Sequence, residues 1–174
     1  MGDFYSGPEQ FISRIWTIPG FHLQCIRPDW MHMCCLRVLQ YLIGDCLWEC
    51  FVALGGVFTN SRRACNRLEN IIEMIAKRLD IEKPLHSLTI TMIRPQATGK
   101  PKFKGKAAVN RHLLPILHEM LLKCFPLDTE HQKARCHCVG AMHEAYREME
   151  AWDPQTYPSR LGDCARRCLI LWAA

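Results

Sequence analysis

Three stretches of this sequence hold residue types at spacings that can do chemistry. In "IRPDWMHMCCL" (26–36), Asp29 and His32 stand three apart where an alternating run gives way to a helical one. A carboxylate that ends a strand and opens a helix can share a divalent cation with a carboxylate on a neighbouring strand. His32, one turn on, reaches the same side and can orient the acid. The same geometry also serves a plain helix N-cap, for which Asp is among the best residues.

"GKPKFKGK" (99–106) places Lys100, Lys102, Lys104 and Lys106 at alternate positions. Extended, they share one face with Phe103 on the other, and such a comb can follow a line of phosphates. Arg111 and His112, at the start of the next expected helix, extend the patch. No base-reading pattern accompanies it, so contact would be to the backbone of nucleic acid; the plain alternative is a solvated loop. "RCHCVGAMH" (135–143) with "CARRC" (164–168) raises a zinc site. Cys136 and Cys138 fall on one helix, where a two-residue step turns them about 200° apart, which argues against their sharing an ion. Cys164 and Cys168 lie one turn apart but also fit an apolar stripe with Leu161, Ala165 and Trp172. Zinc is therefore not expected. Cys46 and Cys50 read as core packing, and no phosphate loop, dinucleotide fingerprint or G-x-S-x-G motif is present.

The elements that must position these groups follow from periodicity. "FHLQCI" (21–26) alternates as a short strand, closed by Pro28. Leu36, Leu39, Ile43, Cys46 and Cys50 recur at helical steps, with Arg37, Tyr41, Asp45 and Glu49 along another face. That helix should run from about 30 to 54 and end at Gly55-Gly56. A second, 62–79, has Ser61 as its cap and Leu68, Ile71, Ile72, Ile75 and Leu79 as its buried stripe. "SLTITMIR" (87–94) reads as another strand. A helix over 106–124 should be kinked or split at Pro115. Thr129 with Gln132 makes a capping box for a helix to about 152, and a last helix follows Pro158-Ser159. The expectation is one mainly α (α+β) domain over 1–174, a helical bundle with two or three short strands.

"IPGFHLQCIRPDWMHMCCLRVLQYL" (18–42) resembles the block around the second catalytic aspartate of CACTA-type (En/Spm-like) DNA transposases, an extended segment running into D-x-M-H and an apolar helix. The resemblance covers about 18–54 and, in general layout, "KGKAAVNRHLLPILHEML". It implies a ribonuclease H-like core, here partial, with 55–174 as a mainly helical insertion-like region. It also implies an Asp/Asp/Glu site holding Mg²⁺, with Asp29 as the metal-binding, catalytic Asp, Met31 as the signature Met and His32 as the associated His. The chain departs from the pattern in three places. Arg37 stands where the family has Gly after Leu, Asp3 lies in no strand pattern that could carry the first Asp, and Glu119, Glu144 and Glu148 have surroundings unlike the family's Glu. The expectation is a transposon-derived fragment without catalysis of its own, because strand transfer needs several carboxylates to hold two ions. The alternative is a helical binding module that contacts nucleic acid or an acidic partner through 94–112.

Composition fits either. With 174 residues, 49% hydrophobic and 22% charged, the chain suits one globular domain with a substantial core. No signal-like segment opens it, and the apolar stretch 31–58 is broken by Arg37, Gln40, Asp45 and Glu49, so an intracellular protein is expected, and the transposase resemblance adds a nuclear location. The eleven cysteines are then expected as thiols. Seven Lys or Arg and no acid lie between 83 and 118, leaving 15 basic against 17 acidic residues elsewhere, so one segment supplies the positive field.

Overall fold

A computed structural model describes residues 36–94 and 99–151, together with 163, 164, 166 and 167. The described chain is mainly helical: α1 (Leu39–Ala53), α2 (Arg62–Arg78), the single turn α3 (Ile90–Ile93), α4 (Ala107–Lys123) and α5 (Glu130–Glu150). Among these residues there is no strand, only an isolated bridge between Val57 and Asn60 in the α1–α2 turn. The expected strand 21–26, with Asp29 and His32 after it, lies outside the described residues.

α1 buries Leu39, Ile43, Cys46 and Cys50 as expected, with Leu42, Leu47 and Phe51 beside them, while Leu36, just before it, is only partly buried. It stops where the sequence predicts, through paired carbonyls. The Gly56 N–H donates to the Phe51 carbonyl and the Gly55 N–H to that of Val52, both at 2.9 Å, with Gly55 left-handed at φ 76°. α2 buries Leu68, Ile72 and Ile75 as its stripe requires, adding Ala64, Cys65 and Ala76, while Leu79 sits past its end and is exposed. Ser61 is the N-cap residue by position, but its side chain makes no capping bond. α4 remains one helix through Pro115, so the expected split does not occur; Leu113, Leu114, Ile116, Leu117 and Met120 are buried on both sides of it and pack the helix in place. At α5 the capping box is complete: Thr129 Oγ1 accepts from the Gln132 N–H at 3.1 Å, and Gln132 Oε1 accepts from the Thr129 N–H at 3.0 Å.

The segment 87–94, expected as a strand, is extended at Thr89 and then coils into α3. Period-two patterning commits a chain to a sheet only if another strand can accept its ladder. Here the carbonyls at the end of α3 are taken by the basic segment instead, and Ile93 turns fully into the core. One core results, formed where α4 packs on α5, α2 and α1.

Candidate nucleic-acid interface

The basic segment is built onto the bundle from its backbone outward. The Lys102 N–H donates to the Ile93 carbonyl at 2.9 Å and the Lys104 N–H to the Met92 carbonyl at 2.7 Å, while the Phe103 N–H between them donates the other way, to the Gln40 carbonyl of α1 at 2.7 Å. Amides that alternate in direction are the signature of an extended chain, here gripped between α1 and α3. Gln40 Nε2 adds a 3.4 Å bond to the Gly105 carbonyl. Phe103 is fully buried. The approach to α1 is close because the helix has Gly44 there: a Cβ at that position would stand 2.6 Å from the Phe103 nitrogen and 2.7 Å from the Lys102 Cα.

With Phe103 facing inward, Lys100, Lys104 and Lys106 are exposed, and among the described residues none of the three has a carboxylate partner. Lys102, half-buried, sets its ammonium 5.1 Å from the ring centroid of Tyr41. Arg94 lies 4.5 Å over Trp48 and its Nε donates to the Gly99 carbonyl at 2.6 Å, joining the two ends of the stretch 95–98. Trp48 in turn stacks on Phe51 at 5.3 Å. Arg111, near the start of α4, is about half-exposed, and its guanidinium lies 3.6 Å from Glu150 of α5.

No family model, curated protein or solved structure matches this chain.

Sequence reasoning missed a charged centre between α1 and α5. Arg135 is only 7% exposed; its Nε meets Asp45 Oδ2 at 3.0 Å and its Nη1 meets Glu49. Its Nη2 lies 2.7 Å from His131 Nε2. A guanidinium only donates, so in this contact the ring nitrogen is the acceptor. The i, i+4 spacing of Asp45 and Glu49 was legible as a polar face; that this face receives an arginine across the bundle was not.

Mg²⁺, implied by the transposase resemblance, requires several oxygen ligands converging on one point. Among the described residues no three His, Cys, Asp or Glu side chains converge in this way, and Asp45 and Glu49 are occupied by Arg135. The described residues therefore do not by themselves fit a magnesium or zinc centre, and Asp29 lies outside them. Cys136 and Cys138 are buried in the core, and the Cys164 thiol is directed at Glu144 at 3.9 Å. Burial pushes the Cys46 thiol well up and the Cys50 thiol to about 12, so neither is a thiolate at neutral pH. Both pack as small hydrophobes.

Proposed function

We propose that this chain binds the sugar-phosphate backbone of nucleic acid through the segment 99–106, with Lys100, Lys104 and Lys106 as the contacting cations. The reading is supported by one observation above all: a lysine-rich segment tied at 102–104 by backbone bonds to two helices and by a buried phenylalanine. A flexible loop would lose side-chain and backbone entropy on binding; a pinned one has already lost most of it. Alternate residues of an extended chain repeat at about 6.7 Å, so Lys104 and Lys106 stand about one such step apart. Lysine supplies point charges without planar base recognition, so affinity is independent of sequence.

We further propose descent from a CACTA-type transposase, on the strength of the D-x-M-H block, with Asp29 and His32 as what remains of the catalytic site and the basic segment as a DNA-gripping part. Phosphoryl transfer by this chain alone is not part of the proposal.

Fluorescence anisotropy with labelled duplexes of unrelated sequence tests the binding reading. The chain should bind them equally, and the Lys100→Gln, Lys104→Gln, Lys106→Gln triple variant should lose most of that affinity. Equal binding by wild type and triple variant would end the proposal.

A further inference from the structure

A second concentration of positive charge lies between α4 and α5. Arg111, His112 and Pro115 from α4 and His143, Tyr146, Arg147 and Glu150 from α5 line a cleft of about 140 Å³, with Ile81 closing one side. One water needs roughly 10–15 Å³ of such space, so the cleft has room for a tetrahedral oxyanion. Its wall brings together two guanidiniums and two imidazoles against a single carboxylate. That carboxylate, Glu150, stands 3.6 Å from Arg111 with both side chains about half-exposed, an arrangement an incoming anion can displace at little cost.

We propose that this cleft binds a phosphate-type oxyanion, with Arg111 and Arg147 as the charged donors, His112 and His143 as further donors, and Glu150 as an internal competitor. Arginine suits the role because its fixed fork of N–H groups matches the oxygens of phosphate or sulfate. His143 makes occupancy sensitive to pH. Its ring stands 6.3 Å from that of His118 on α4 between centroids, Arg147, Glu144 and Glu150 act on it from its own helix, and Arg111 and His112 line the same cleft from α4. Burial, then His118 and Arg147, hold its pKa below the ordinary histidine value, with Glu144 and Glu150 opposing. An anion in the cleft favours the imidazolium, so by linkage acid strengthens anion binding. The site uses none of the lysines of the comb, although Lys106 stands at the start of the helix that carries Arg111 and His112, and it does not depend on the reading above.

The test uses the full chain and NMR of its histidine side chains, titrated with inorganic phosphate or sulfate against chloride at matched ionic strength. Phosphate should shift the His143 and His112 ring signals saturably. Arg111→Gln or Arg147→Gln should weaken binding roughly tenfold, and Glu150→Gln should tighten it several-fold, by roughly the 1–2 kcal/mol of one charge-assisted contact. Sulfate, whose charge is fixed over this range, should bind more tightly at pH 6 than at pH 8. The lysine triple variant should bind phosphate like wild type. No saturable shift beyond that with chloride, or binding unchanged in both arginine variants, would overturn the proposal. An oligonucleotide arm separates the sources of the phosphate. If the arginine variants also weaken DNA binding, the anion is a backbone phosphate; if DNA binding is unchanged while phosphate binding falls, it is a free phosphate or phosphomonoester.

Discussion

At the scale of single residues, Arg135 and the carboxylates around it differ in what each loses when left alone. The guanidinium is buried, whereas Asp45 and Glu49 are 40% and 41% exposed and can return to water. Removing both carboxylates in Asp45→Asn, Glu49→Gln strands a buried cation and should cost about 3 kcal/mol. Arg135→Met, which keeps the volume and frees two half-hydrated acids, should cost about 1 kcal/mol. Urea unfolding of the two variants checks that order, and the reverse order would show that the charge is not held as described. His118 and His143 make a second prediction. Burial is the main cause that pushes both below the ordinary value of 6.5, so the unfolded chain takes up protons before the folded one does. Their contribution is complete above about pH 6.5 and is lost as the pH falls through their folded values. Urea midpoints should drop between pH 7.5 and 5.5, and less so in His118→Gln, His143→Gln. The carboxylates lowered by lysine partners, Glu73, Glu119 and Glu130, act below the ordinary value of 4.5 and leave this window clear.

At the scale of elements, α1 and the basic segment are coupled through Gly44. Alanine is the better helix former by about 1 kcal/mol, and on an exposed face Gly44→Ala would stabilise α1. Here the new methyl meets backbone at 2.6–2.7 Å, which overpacks the contact at a cost of about 1–3 kcal/mol. Thermal unfolding should therefore show a net loss of stability, and DNA affinity should fall with it as the comb is pushed off its seat; a more stable protein with full affinity would contradict the coupling. The same residues show what the sequence revealed and what it hid. The C-terminal end of α1 and both ends of α2, α4 and α5 were legible to within about two residues, because Gly55-Gly56, Ser61 and Thr129 with Gln132 are local signals, whereas the expected start of α1 near residue 30 lies outside the described residues. The placing of Phe103 on the face opposite the exposed lysines was legible too. The seat beneath Phe103 was not, since Gly44 reads as an ordinary small residue until the segment 58 residues later is laid across it. α3 was misread because alternation at Leu88, Ile90 and Met92 carries no information about whether a partner strand exists. The cleft of Arg111, His143 and Arg147 joins positions over thirty residues apart, beyond the reach of any local pattern.

At the scale of the whole molecule, the positive charge of the sequence is concentrated in the segment 83–118, and no described helix is long and apolar enough to cross a membrane. Transposase descent without a complete carboxylate set carries its own expectation: purified chain with Mg²⁺ should leave supercoiled DNA intact in a nicking assay. Nicking abolished by Asp29→Ala would contradict it. The binding reading is tested most directly by salt. Each phosphate neutralised adds about −0.9 to the slope of log K against log salt concentration on duplex DNA, so three lysines contribute about −2.7. The slope should be steep for the wild-type chain and shallower by roughly that amount in the Lys100→Gln, Lys104→Gln, Lys106→Gln variant. Two superimposable slopes, or affinity that does not respond to salt, would contradict the role given to this segment.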